Sequence, residues 1–238
     1  NTGETNNRNY VNLFPSAHAS YKFSERFSLQ AGYSRRIYRP RLWDLNPFFN
    51  ITNSYSIRTG NPNLNPEYAD SYELTSIFLF EKISFNAGIY HLYTTEVIER
   101  VSTFENNVNR TLPMNIGTRN QTGFELNGKY SPKKWLTFNA DFNYGYFSRV
   151  GEFENQDFSF TGSNWFTRGT AKFKLPSSID AELSGNYNSS YKTVQGTVSD
   201  FASMDVGLRK RFYDGKLILN AAVKDVFASR IRASTIKQ

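Results

Sequence analysis

The sequence predicts an all-β fold: an antiparallel up-and-down transmembrane β-barrel, present in part, with about ten strands in five hairpins. Three observations carry this. The first is composition: the 238 residues include 21 Phe and 15 Tyr, aromatics reach 16%, yet charged residues make up 21% and the mean hydropathy is −0.56. A chain so rich in rings and so polar on average fits segments whose apolar and polar positions alternate, each face meeting a different solvent. The second is that this alternation is visible. In WLTFNADFNYGYF (135–147), Leu136, Phe138, Ala140, Phe142, Tyr144 and Tyr146 share one parity, and Thr137, Asn139, Asp141, Asn143 and Gly145 share the other. The third is that short and long connections take turns along the chain, as periplasmic turns and extracellular loops do in outer-membrane barrels.

Taken in order, strands are expected near 10–23, 27–38, 66–80, 83–98, 118–130, 135–149, 163–175, 179–195, 200–212 and 216–227. In the first, His18 lies on the parity opposite Ala17, Ala19 and Tyr21, which aims it at the wet side. FSLQAGYS (27–34) sets Phe27, Leu29, Ala31 and Tyr33 against Ser28, Gln30, Gly32 and Ser34. YADSYELTSIFLF (68–80) places Tyr72, Leu74, Phe78 and Phe80 on one face. TGFELNGKY (122–130) opposes Phe124, Leu126 and Tyr130 to Glu125, Asn127 and Lys129. IDAELSGNYNSSY (179–191) opposes Ile179, Ala181, Leu183, Tyr187 and Tyr191 to Asp180, Glu182, Asn186 and Asn188. The breakers SER (24–26), EK (81–82), SPKK (131–134), PSS (176–178) and YDGK (213–216) are tight enough for hairpins. Segments 39–66, 99–117 and 151–162 read as long loops rich in Asn, Gly, Pro and charge.

Several classes are excluded. The longest apolar runs, IFLF (77–80) and LIL (217–219), fall far short of the roughly 20 residues of a membrane helix. There is no cysteine, so neither disulfides nor Cys-ligated metals enter. The net charge of +7 is scattered over strand ends, at Lys22, Arg26, Lys129, Lys133, Lys134, Lys172, Lys174, Arg209, Lys210, Arg211 and Lys216. No basic stripe follows a single element, which argues against nucleic acid as partner. Trp135, Phe27, Tyr130 and Phe212 flank the same turns, where a barrel carries its interfacial rings. His18 and His91 lack spaced partners, and HExxH, P-loop and G-x-S-x-G patterns are missing. No metal, cofactor or catalytic residue is expected, and the chain reads as no enzyme.

GNPNLNPEY (60–68) punctuates the chain most heavily. Proline lacks a donor and keeps the preceding residue extended. Gly60, Asn61, Pro62, Asn65, Pro66 and Glu67 therefore read as a rigid structural re-entry from a long loop into the wall.

YVNLFPSAHASYKFS (10–24), YSRRIYRPRLWDLNPF (33–48), GNPNLNPEYADSYEL (60–74) and AAVKDVF (221–227), in this order, resemble the barrel of TonB-dependent outer-membrane receptors, in particular the Bacteroidota-type outer-membrane β-barrel proteins. The resemblance implies residence in the bacterial outer membrane, among lipid and lipopolysaccharide. It also implies import of a scarce nutrient such as siderophore-iron, cobalamin, a glycan or a peptide. Implied partners are the receptor's own plug domain, the TonB complex reached through an N-terminal motif, and in some members a surface lipoprotein. Against that pattern, residues 1–238 are expected to be a C-terminal portion of the barrel, without plug and final strands. The alternatives are a non-energised pore or adhesin barrel, or a soluble β-sheet binding module. Arg35, Arg36, Arg39 and Arg41, with their planar donor forks, suit an anionic ligand, plug carboxylates or lipopolysaccharide phosphates. Trp43, Phe48, Phe49 and Tyr55 suit stacking on a ring or packing of the loop on itself. Asp141, Glu125, Asp180, Glu182, Lys172 and Lys174 on the polar parity make a mixed wet wall.

Overall fold

The computed structural model describes residues 11–48, 50–53, 55–153, 156–193, 196–231 and 233–236. Ten strands form one antiparallel sheet in chain order: β1 (Ser16–Ser24), β2 (Phe27–Tyr38), β3 (Glu67–Leu79), β4 (Ile83–Thr95), β5 (Thr118–Lys133), β6 (Leu136–Val150), β7 (Phe160–Leu175), β8 (Ile179–Asn188), β9 (Phe201–Phe212) and β10 (Leu217–Val223). Each strand pairs with its sequence neighbours, so the sheet is an up-and-down meander of five hairpins, as the alternation and turns predict. β1 and β10 are its two edges and do not pair with each other, so the barrel is not closed.

Register preserves parity across the sheet. Ala31 faces Leu74, Leu74 faces Ile89, and Ile89 faces Phe124, which in turn lies opposite Tyr144. On the other face Glu125 lies opposite Asn143, and Asp141 opposite Arg168. A slip of one residue would exchange the faces, so the summed pattern pins every strand. The apolar face carries a ladder of rings beside the short turns. Tyr21, Phe23, Phe27, Phe78 and Phe85 follow one another at centroid distances of 4.7, 5.1, 4.9 and 4.5 Å. Further along, Phe142, Trp165 and Tyr187 continue at 6.0 and 4.6 Å. Lys210, on this face, turns its ammonium to the Ser177 carbonyl at the nearest turn, 5.4 Å from the Phe212 ring centroid, so its charge sits at the edge of the sheet. Among the described residues no helix is long and apolar enough to cross a membrane.

Several boundaries differ from the sequence reading, each for a local reason. The first wall strand starts at Ser16, not at residue 10: Pro15 has no donor for the ladder, and its carbonyl accepts Arg35 N at 3.0 Å. The strand expected over 179–195 leaves the wall at Asn188, because the Ser189 hydroxyl takes the Trp165 N–H at 2.8 Å in place of a strand carbonyl. Tyr191–Thr193 instead joins Gly196–Val198 and Ser234–Ile236 in a small separate sheet. The last strand stops at Val223 rather than 227. Asp225 adopts φ 51°, and its carboxylate accepts the N–H groups of Ser229 and Arg230, each at 3.0 Å, which turns the chain.

The segment expected as a loop over 99–117 is a hairpin, Ile98–Glu105 with Val108–Asn115. Its two-residue turn is Asn106 and Asn107 at φ 50° and 62°, the left-handed pair that such turns require. It belongs to a four-stranded sheet in the order Asn50–Asn53, Ser56–Arg58, Val108–Asn115, Ile98–Glu105. The buried side chains cluster here, at the long-loop end. Thr94, Ala69, Leu64, Val97, Ile116 and Val101 are 1–7% exposed. Outside that cluster, Ser203 at 4% is a buried side chain of the wall, and no large apolar side chain among the described residues is buried there: Tyr21 is 65% and Leu219 55% exposed. The apolar face of the wall is therefore left open, the arrangement of a one-sheet wall.

Candidate functional site

The re-entry segment organises the long-loop end. A short helix, Leu42–Leu45, follows Arg41. Gly60 N donates to Asn46 O and Asn61 N to Asp44 O, both at 2.7 Å. A Cβ on Gly60 would lie 2.5 Å from Asn46 N and O, so only glycine allows this approach. The Asn61 side chain accepts Asn63 N at 2.9 Å and donates to Pro113 O at 3.2 Å. Asn65 N donates to Asn115 Oδ1 at 2.7 Å, and Asn115 Nδ2 returns to Asn65 O at 3.0 Å and Glu96 O at 2.7 Å. Pro66 is buried, and Glu67 Oε1 accepts Ile98 N at 2.6 Å. The prolines withhold donors, the asparagines supply side-chain partners, and loops 39–59 and 96–117 are tied to one another.

Between these loops lies a cavity of about 670 Å³, lined among others by Tyr38, Arg39, Arg41, Asp44, Glu67, Glu99 and Arg100. Its carboxylates are engaged. Asp44 pairs with Arg100 at 3.0 Å, Glu99 pairs with Arg149, and Glu67 holds the Ile98 amide. Just below, one row of the polar face reads Arg36, Ala69, Thr94, Arg119, Arg149 across β2 to β6. Arg119 and Arg149 stand directly opposite each other, an unfavourable arrangement for like charges that Glu99 only half answers. Thr94 Oγ1 and the Nε atoms of Arg119 and Arg149 are buried without a partner among the described residues. Arg36, Arg41, Arg58 and Arg119 form no ion pair among the described residues. The cavity and the row below it thus hold Arg36, Arg39, Arg41, Arg100, Arg119 and Arg149 against Asp44, Glu67 and Glu99, a local excess of positive charge, partly desolvated, where an anion gains most.

The four arginines singled out in the sequence do not form one patch. Arg35 stands on the apolar face, opposite Asp70 and 5.7 Å from the Tyr68 ring centroid; Asp70 also accepts the Tyr33 hydroxyl at 2.8 Å. Arg36 points to the polar face, and Arg39 and Arg41 line the cavity. Trp43 and Phe48 border a neighbouring cavity of about 430 Å³ with Arg58, Arg100 and Pro113. Tyr55 is exposed, its carbonyl accepting Asn109 N at 2.8 Å. Phe49 lies outside the described residues. Sequence reasoning passed over Arg58, Glu99, Arg100, Arg119 and Arg149. One signal was available: Asn106-Asn107 between the alternating stretches VSTFE and VNRTL marks the hairpin that delivers Glu99 and Arg100.

Along the polar face the charges pair locally: Lys172 with Glu182 at 3.3 Å, Arg211 with Asp180 at 2.9 Å, and Arg230 with Asp205 at 3.3 Å. His18 lies opposite Gly32 on the polar face, whereas His91 is on the apolar face, 2.8 Å from Thr122 Oγ1. The two rings cannot share an ion, and among the described residues no group of three or more metal-type side chains is present.

A meander of ten long antiparallel strands, ringed on one face, polar on the other, with short turns at one end and layered loops at the other, defines a membrane-spanning β-barrel of the bacterial outer membrane. The chain belongs to the outer membrane protein beta-barrel family, whose profile matches residues 1–238. No curated protein sequence matches significantly. Among solved structures, the siderophore receptor PirA from Pseudomonas aeruginosa is similar at TM-score 0.71 and 18% identity, over 94% of this chain and 41% of that one. The FrpB iron transporter from Neisseria meningitidis is similar at 0.67 and 14%, over 95% and 35%. A mutant of the ferric enterobactin receptor from Pseudomonas aeruginosa, in complex with enterobactin, is similar at 0.68 and 16%, over 91% and 35%. The chain therefore spans about two-fifths of the first of these receptors or less, and the likeness is one of fold.

Proposed function

We propose that this chain is part of the barrel of an energised outer-membrane import receptor, and that its long-loop end is the extracellular mouth where a scarce nutrient is captured. The observation that carries the reading is the ten-strand meander matched in order to receptor barrels over 94% of its length, with a polar cavity built at the loop end of that wall. The unpaired edges of β1 and β10 fit a wall completed by further strands of the same protein. The polar face, with its paired charges, fits the surface that a plug domain lies against, and coupling to the TonB complex would act through that plug. Lipid and lipopolysaccharide cover the ringed face in this reading.

The test is uptake by the living cell. A strain lacking the gene is compared with its parent for growth on siderophore-iron, cobalamin, glycans or peptides as the limiting source. Import of one class is expected to fail in the deletion strain, return with the gene, and stop when a proton uncoupler collapses the membrane potential. Import that survives the uncoupler points instead to a passive pore and refutes energised transport.

A further inference from the structure

Two cavities meet at one ion pair. Asp44 and Arg100 line both the larger cavity and the 430 Å³ cavity beside it. That second cavity is within the size range of small-molecule sites. Its acid is already taken by Arg100 at 3.0 Å, and the Asn46 side-chain oxygen accepts Phe48 N at 3.1 Å. What remains toward the opening is cationic and aromatic. Arg58 forms no ion pair among the described residues, and the Arg100 side chain is 67% exposed. Trp43 is 79% and Phe48 66% exposed. Rings that served only to pack their own loop would be covered by it; these two keep most of their surface open beside two guanidinium groups.

We propose that this cavity is a capture site for an acidic aromatic group. The carboxylate or comparable acid lies between Arg58 and Arg100, and its ring lies against Trp43 and Phe48. The planar forks of arginine match a carboxylate, and exposed aromatic faces gain from an apolar plane laid on them. Asp44 is only 16% exposed and keeps its pair, while Arg100 is 67% exposed, so its guanidinium serves Asp44 with one donor and offers the remaining donors of its fork to the ligand acid. Arg100 also lines the larger cavity, which leaves the ligand at that cavity's wall. The inference rests on the import reading in one respect: it names the chemistry of the group that the mouth captures first.

The experiment uses the full-length protein in detergent and benzene-1,3-dicarboxylate as the probe, titrated by saturation-transfer NMR. Two matched compounds serve as controls: cyclohexane-1,3-dicarboxylate has the acids without the ring, and benzene-1,3-dimethanol has the ring without the acids. The aromatic diacid is expected to bind at least about tenfold more tightly than either. Trp43→Ala and Arg58→Ala should each weaken it about fivefold or more, whereas Trp43→Phe retains binding and shows that the loop still folds. Arg209→Ala, at the opposite end of the wall, leaves the affinity unchanged. Equal binding of all three compounds, or full affinity in both alanine variants, overturns the proposal. Energised uptake without diacid binding defeats this site alone, and diacid binding without energised uptake defeats the import reading alone.

Discussion

Replacing Phe142 by arginine tests which face of the wall meets hydrocarbon. Phe142 lies six residues above the start of β6. At about 3.4 Å per residue and a strand tilt of about 40°, that is about 15 Å above the short-turn end. An apolar band about 25 Å tall has its midplane close to that height. Its register neighbours are Leu126 and Thr167, and the rings of Phe124 and Trp165 lie 6.4 and 6.0 Å away. No carboxylate is among these neighbours. An arginine facing lipid at the midplane costs about 2–4 kcal/mol. Asn143→Arg, one residue on, points to the polar face opposite Glu125, where it finds an acid and water, and its cost should stay below about 1 kcal/mol. The assay is urea unfolding of the full-length barrel in phosphatidylcholine vesicles, followed by tryptophan fluorescence. Equal penalties at 142 and 143 would refute the assignment of faces.

Other expectations concern the loop clamp and one titrating turn. Gly60→Ala places a methyl 2.5 Å from the Asn46 backbone, which cannot yield as a side chain would; loops 39–59 and 96–117 should separate, read as new protease cleavage there with the wall intact. Asn115→Ala removes three hydrogen bonds that join Asn65 to Glu96 and should destabilise the clamp by about 1–3 kcal/mol, seen as faster amide exchange at Asn65 and Val97. The Asp157 carboxylate, in a connection at the long-loop end, is held below its ordinary range by hydrogen bonds from the Ser159 side chain and backbone. Because the folded value is depressed, its contribution is present above the unfolded value of about 3.9 and is lost as pH falls through the folded one. Ser159 amide protection should therefore drop only in strong acid, and Asp157→Asn should remove that pH dependence.

How far the fold was legible follows from the physics of a wall one sheet thick. In β6 the parity of Phe138, Ala140, Phe142, Tyr144 and Tyr146 is local information, since a residue's neighbours two positions away already state which solvent it faces. Breakers such as PSS and YDGK needed nothing beyond themselves. Strand ends were less legible where a side chain replaced a ladder partner, as Ser189 does for Trp165, or where a carboxylate wound the chain back, as Asp225 does. These depend on partners distant in sequence. The candidate site was the least legible. Arg35 and Arg36 are adjacent in sequence and lie on opposite faces, while Arg100 reaches Asp44 across 56 residues.

By itself the sequence determined which residues share the apolar and the polar face of the strands, the strand order and where the chain re-enters the wall at residues 60–67, because period, proline and asparagine act over a few residues. Only the tertiary structure decided that two loops fold into a layered sheet, that the buried core sits at the mouth rather than in the wall, and that Arg100 and Asp44 divide two cavities. Charges and rings far apart in the chain acquire a common address only when the register of ten strands brings their loops to the same end.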